Sequence, residues 1–227
     1  MVIGSGLLAS AFSQDFASNA DVKIFASGVS NSRETRKSEF VREEEILKTS
    51  LTGEGRLIYF STCSIYDPSL KNSPYVAHKL AMEAIVLQAK QNMVFRLPQA
   101  VGHTSNKSTL ANYLYQKLMK EEEFDVWIHS SRNLIDVADI SKIAKTIIER
   151  DEETGSVLNI AAPVSHPIIE IVKTFERVLS LKARYNTIEA GSDYLIDTEI
   201  SDKIGQFSGI EFGRDYLGKL LKKYYAK

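Results

Sequence analysis

Three side chains in this sequence, Thr62, Tyr75 and Lys79, have the types and spacing to move a proton to or from a hydroxyl or carbonyl oxygen. A phenol titrates at about pH 10 in isolation, and a cation one helical turn away favours the phenolate. Tyr75 and Lys79 stand four residues apart, which on a helix places them on one face. Tyr75 would then exchange a proton with a substrate near neutral pH while Thr62 holds the reacting oxygen. Hydride transfer at the adjoining carbon would need a nicotinamide beside it. The Tyr-x-x-x-Lys pattern alone is weak: a second copy, Tyr113/Lys117, reads as a surface helix pair.

The elements around the trio are well signalled. Leu57-Ile58-Tyr59-Phe60 is a short apolar run that reads as a strand buried on both faces, ending in the hydroxyls of Ser61 and Thr62. Ser73 suits an N-cap and Pro74 a first helical position, so a helix begins there and carries Ala77, Leu80, Ala81, Ala84 and Ile85. At the start of the chain, Val2-Ile3 is a strand stub. It runs directly into Gly4-Ser5-Gly6-Leu7-Leu8-Ala9, a G-x-G-x-x-A turn that lets backbone N–H groups approach a pyrophosphate at the head of a helix reaching about Ala17.

Further along, the pattern gives a strand at Val22–Ala26, a charged helix at Glu34–Leu51 with a stripe at Phe40, Ile46 and Leu47, and a strand at Met93–Gly102. A helix at Ser108–Glu122 and a strand at Phe124–Ile128 come next, and Asp139 caps a helix over 140–150. The last elements are a strand at Val157–Ala161, a helix at Ile168–Leu179, a strand at Arg184–Ile188 and a helix at Phe212–Tyr225, where Lys222-Lys223 forms a solvated face.

Composition narrows the function classes. At 227 residues, 44% hydrophobic and 25% charged, the chain is an ordinary globular protein long enough to bury a core. A net charge of −1 gives no support to nucleic-acid or membrane-surface binding. The single Cys63 rules out an internal disulfide and fits a reducing cytosol. Four scattered histidines suggest no metal site. No stretch approaches the roughly 18 apolar residues of a membrane span, so a soluble cytoplasmic protein is expected.

The strand, Ser61-Thr62, Ile65-Tyr66, loop, Ser73-Pro74 cap and Tyr75/Lys79 helix, preceded by the glycine turn, resemble the extended short-chain dehydrogenase/reductase family. Within it they match the NAD-dependent epimerase/dehydratase group, which acts on nucleotide-activated sugars. Later segments extend the likeness over nearly the whole chain: Arg96-Leu97-Pro98-Gln99, Arg132-Asn133-Leu134-Ile135-Asp136-Val137-Ala138-Asp139 and Leu158-Asn159-Ile160. The resemblance implies Thr62, Tyr75 and Lys79 as the reaction site. Gly4, Ser5, Gly6, Leu7, Leu8, Ala26, Ser27, Gly28, Lys79 and Pro98 would lie against NAD or NADP. Gln99 would meet the sugar, and Arg132 the substrate diphosphate.

Two departures shape the expectation. Dehydratases of the family follow the hydroxyl residue with Asp-Glu, where this chain has Cys63-Ser64, so a 4,6-dehydratase is not expected; Cys63 reads as a packed core thiol. No acidic residue stands about 20 positions beyond the glycines, where the adenosine ribose is normally held; the window reads Phe25-Ala26-Ser27-Gly28-Val29-Ser30. Either Ser27, Asn31 and Arg33 receive a 2′-phosphate, or the two strands that build the adenosine pocket are missing and Val22–Ala26 corresponds to the family's fourth strand. The second explanation is preferred, and it would make the first strand a sheet edge.

The expectation is therefore an α/β Rossmann-like parallel sheet with a reduced strand number, flanked by helices, plus a small C-terminal substrate lobe. Residues 1–103 would form the cofactor-binding core. Residues 104–227 would bind substrate and return one strand to the core near 156–161. The function implied is an NAD(P)-dependent nucleotide-sugar reductase or epimerase in surface polysaccharide biosynthesis, with reduction preferred and a homodimer plausible. The alternative is a non-catalytic sugar-nucleotide binding or assembly protein.

Overall fold

Alternation along the buried strands sorts the molecule into two packed faces. The computed structural model describes residues 1–150 and 155–226. Its central sheet comprises β1 (Val2–Ile3), β2 (Val22–Phe25), β3 (Arg56–Thr62), β4 (Met93–Leu97) and β9 (Val157–Asn159), all parallel, in the order β1-β2-β3-β4-β9. Ile24, Ile58, Phe60, Met93, Phe95 and Leu97 point to one face. There they meet Phe12 and Phe16 of α1 (Leu7–Phe16), Ile140, Ile143 and Ile147 of α5 (Val137–Arg150), and Ile204 of α7 (Glu199–Phe207). Phe25, Leu57, Tyr59 and Val94 point to the other, against Leu47 of α2 (Lys37–Ser50) and Met82 and Val86 of α3 (Pro74–Val86). Both faces being covered explains why the strands read as continuous apolar runs rather than alternating ones.

The strand order never reverses among the described residues, and β1 is the sheet edge. One consequence is topological. The connections β1–α1–β2, β2–α2–β3 and β3–α3–β4 all step the same way across the sheet, yet α1 lies on the opposite face from α2 and α3. The first connection thus has the opposite hand to the next two, whereas about 98% of such crossovers share the right hand. Two more strands outside β1, entered from α1 and left for β2, would restore the usual hand. The fold itself thus bears out the expected reduced parallel sheet with β1 at its edge.

A second apolar cluster is built from α4 (Leu110–Met119), β6 (Phe124–Trp127), α6 (Ile168–Leu179), β11 (Tyr185–Ile188) and α8 (Tyr216–Tyr225), with Leu114, Val126, Phe175 and Leu221 at its centre. Short pairs β5 (Gln99–Val101) with β8 (Leu134–Asp136), and β7 (Ser131–Arg132) with β10 (His166–Pro167), join it to the sheet.

Several expected boundaries move. Met93–Gly102 is two strands, because Pro98 cannot donate to a ladder and the chain turns there to pair with β8. The fourth helix is capped by Thr109 and ends at Met119, short of the expected 108–122. The helix expected from 140 starts at Val137, where Asp136 accepts the Ala138 N–H at 2.8 Å; Asp139 sits in the first turn and receives the Tyr216 hydroxyl at 2.6 Å. Lys223 is not simply solvated, since it donates to Asp136 at 2.7 Å. α7 was not expected at all.

Candidate functional site

The ends of β3, β2 and β1 bring the expected groups to one side of the sheet. Thr62 closes β3, and its Oγ1 accepts the Ser64 N–H at 3.0 Å, which starts the turn over Cys63–Tyr66. Pro74 opens α3 as expected, although Ser73 supplies position rather than a side-chain cap bond. Tyr75, in the first turn, stands near enough to the Thr62 side chain for that hydroxyl to favour the phenolate. It is only 5% exposed and packs with Val29 and Val76. Lys79 follows one turn later, 2% exposed, with its Nζ 6.0 Å from the centre of the Tyr75 ring.

The ammonium of Lys79 is fully committed within the chain. It donates to Glu43 Oε1 at 2.9 Å, to the Tyr59 hydroxyl at 3.0 Å and to the Phe60 carbonyl at 3.4 Å. Glu43 is completely buried on α2 and gathers four partners: Lys79, the Tyr59 hydroxyl at 2.6 Å, the Val29 N–H at 2.6 Å and His78 Nε2 at 3.1 Å. Burial alone would raise this carboxyl, but His78, Lys79, Tyr59 and Val29 together hold it down to about 2. Burial depresses Lys79, against the pull of Glu43.

This corrects the expected electrostatics of Tyr75. Its pKa is pushed up to about 12, chiefly by burial and against the influence of the neighbouring Thr62 side chain, with the Glu43 charge raising it further. The cation that was to lower it is neutralised by a carboxylate in direct contact. Glu43 was missed because α2 was read for its apolar stripe alone. A carboxylate three residues after Phe40 and four before Leu47, on the inward face, was the available signal.

The glycine turn lies beside this cluster. Gly4 has φ +127°, and a Cβ there would sit 2.5 Å from the Ala26 carbonyl oxygen, so only glycine lets β1 end against β2. Gly4, Ser5 and Gly6 are exposed. Gly6 is the N-cap of α1 with open space around it, and Leu7 and Leu8 form the half-buried first turn. Ala26, Ser27 and Gly28 follow β2 as the start of a loop. Arg42 donates to the Ser27 carbonyl at 3.2 Å, and Gly28 lies directly over the Lys79–Glu43 pair. Pro98 marks the break after β4, and Gln99 pairs with Leu134.

On the substrate side, Arg132 in β7 lies 3.4 Å from Asp67 and 5.8 Å from the centre of the Tyr194 ring, and Asp67 in turn receives Ser192 at 2.6 Å. Behind the strand ends, Arg96 grips Glu83 with two bonds of 2.9 and 2.6 Å and donates to Tyr66 at 3.1 Å, which reaches Asn159 at 2.9 Å. Cys63 is buried, its thiol pushed up to about 12, as expected of a packed core residue. Tyr113 and Lys117 lie on the surface, the ammonium 5.8 Å from the ring centre, as expected. Two cavities of about 340 Å³ lie elsewhere. One, lined by Asp15, Asp21, Arg56 and Lys145, is at the opposite ends of the strands; the other, lined by Asp136, Asp139, Tyr216 and Lys223, is beside α8.

A family model described as NAD dependent epimerase/dehydratase matches residues 20–161, beginning just before β2. Among solved structures, the chain is similar to a UDP-glucuronic acid 4-epimerase from Bacillus cereus in complex with UDP-glucuronic acid and NAD. The two share 15% identity with a TM-score of 0.71, covering 98% of this chain and 87% of that one. RMD from Pseudomonas aeruginosa complexed with NADPH aligns at 16% identity and a TM-score of 0.66, covering 97% and 85%. A dTDP-glucose 4,6-dehydratase from Bacillus anthracis str. Ames in complex with NAD aligns at 15% identity and a TM-score of 0.69, covering 98% and 78%. No curated protein matches in sequence.

Proposed function

Because the chain belongs to the NAD-dependent epimerase/dehydratase family, we propose that it is a short-chain-type reductase acting on a nucleotide-activated sugar. Tyr75 donates a proton to a sugar carbonyl oxygen that Thr62 holds. The observation that carries this reading is the Thr62 side chain at the end of β3 standing beside the buried Tyr75 phenol, whose pKa is pushed up to about 12. Such a phenol keeps its proton at neutral pH. It therefore serves as the acid that carbonyl reduction needs rather than the base that alcohol oxidation needs. An epimerase that oxidises and then re-reduces one sugar requires both.

The residues present fit part of a dinucleotide. The open N–H groups at Gly6 and the first turn of α1, with no acidic side chain there, suit a pyrophosphate. A bound NADH or NADPH would supply the hydride. No described strand lies beyond β1 to wall an adenosine, so affinity rests on the phosphate and nicotinamide portions. Arg132 is the group for the substrate diphosphate and Gln99 for the sugar, and the product belongs to surface polysaccharide synthesis. A homodimer through α2 and α3 is part of the proposal: each helix exposes one large apolar side chain, Val41 at 50% and Leu80 at 43%.

A specific observation favours a second reading, a sugar-nucleotide binding protein without turnover. The loop after β2 covers Lys79, whose three donors are all engaged. Consumption of NADH and NADPH with a panel of nucleotide-keto sugars decides between the two. The reductase reading expects turnover that falls about 10²- to 10⁴-fold in Tyr75→Phe, with the fold retained. Nucleotide-sugar binding without dinucleotide consumption would replace it by the second reading.

A further inference from the structure

The loop Ala26–Ser30 is held shut by two consecutive residues of α2. Arg42 binds the Ser27 carbonyl, and Glu43 Oε2 takes the Val29 N–H while Glu43 Oε1 takes Lys79 and Tyr59. Asn106 reaches Ser30 from the other side at 3.4 Å. The result is steric as well as electrostatic. A Cβ on Gly28 would lie 2.7 Å from Lys79 Nζ and 2.9 Å from Glu43 Oε1, so the loop backbone closes off the space directly over the Lys79–Glu43 pair. Val29, carried by the same loop, lies against Tyr75.

An ammonium has three donors, and Glu43, Tyr59 and the Phe60 carbonyl take all three. Resting on the reductase reading above, we propose that Glu43 is a latch. It fastens the Ala26–Ser30 loop over Lys79, and nicotinamide dinucleotide binds only when the Val29–Glu43 bond breaks and the loop lifts. Glu43 acts through Lys79 and Val29 and is a positioning residue. Once the loop lifts, the space over Lys79 opens to a ribose hydroxyl, which would replace one of its three present acceptors, and Val29 leaves Tyr75 in the same movement.

Glutamine at position 43 keeps the size but turns an amide N–H₂ toward either Lys79 or the Val29 N–H, both donors, so the latch loses one side. Two measurements test it. In Glu43→Gln, the calorimetric Kd for NADPH should fall at least tenfold. In the wild-type protein, hydrogen exchange at the Val29 amide should be slow without ligand and faster at saturating NADPH. The second measurement requires no variant, so a poorly folding Glu43→Gln does not rescue the idea. NADPH binding with the Val29 amide as protected as before overturns the latch and leaves the reductase reading standing. Absence of NADPH binding by both proteins overturns both.

Discussion

Replacing Lys79 with methionine should destabilise the fold by about 3 kcal/mol, the lower end for breaking a buried ion pair. Glu43 loses a counter-charge but keeps three partners in Val29, Tyr59 and His78. Replacing Glu43 with leucine should cost more, about 5 kcal/mol. The ammonium then retains only two uncharged acceptors, and the Val29 N–H is orphaned as well. The double variant removes both buried charges. It should cost well under the sum of the two, with a coupling of about 3 kcal/mol, at the upper end for residues in contact. Urea unfolding followed by circular dichroism reads the three free energies. By melting, Lys79→Met should lose about 6–12 °C, given roughly 2–4 °C per kcal/mol in a chain of this size. Single-variant costs that add to within about 0.5 kcal/mol would refute the claim that Lys79 is committed to Glu43.

The same pair governs acid stability. Glu43 is depressed from 4.5 to about 2, so its contribution, about 3 kcal/mol at 1.36 per pKa unit, is present above pH 4.5 and lost as pH falls toward 2. Wild type should lose that much more than the Glu43→Leu/Lys79→Met double variant over this range; parallel curves would contradict it. Gly4→Ala should destabilise by more than about 1 kcal/mol, since its Cβ strikes backbone at Ala26 and its φ is left-handed; an unchanged melting temperature would count against the close approach of β1 to β2. Cys63 should be inert to thiol reagents at pH 8 in the folded protein and react only after denaturation, being buried with its thiol pushed up to about 12; rapid labelling of the native state would show a different packing.

The parts of the fold that local chemistry decides were legible in the residues. Leu57–Phe60 is apolar because both sheet faces are covered, Pro74 opens a helix, and Gly4 permits a contact no other residue allows. The count of three strands before Thr62 also pointed to a shortened sheet with β1 at its edge. What depends on distant partners was not legible. Lys79 was assigned by its spacing from Tyr75, yet its charge is answered 36 residues earlier by Glu43, and no local pattern pairs those positions. Asp139 looked like the cap of a helix over 140–150. Asp136 instead accepts the Ala138 N–H, and Lys223 and Tyr224 of the last helix come back to the same carboxylate. Met93–Gly102 looked continuous because Pro98 removes one N–H without interrupting the apolar run.

The central claim is that this chain keeps the phosphate turn and the Thr62–Tyr75 pair, while no described strand lies beyond β1 to wall an adenosine. Calorimetry comparing NADH, NADPH and reduced nicotinamide mononucleotide tests it most directly. The account predicts that all three bind, with dissociation constants within about tenfold of one another, a spread of about 1.4 kcal/mol. A preference of more than a hundredfold for either full dinucleotide, about 2.7 kcal/mol, would mean that adenosine contacts exist and would contradict it.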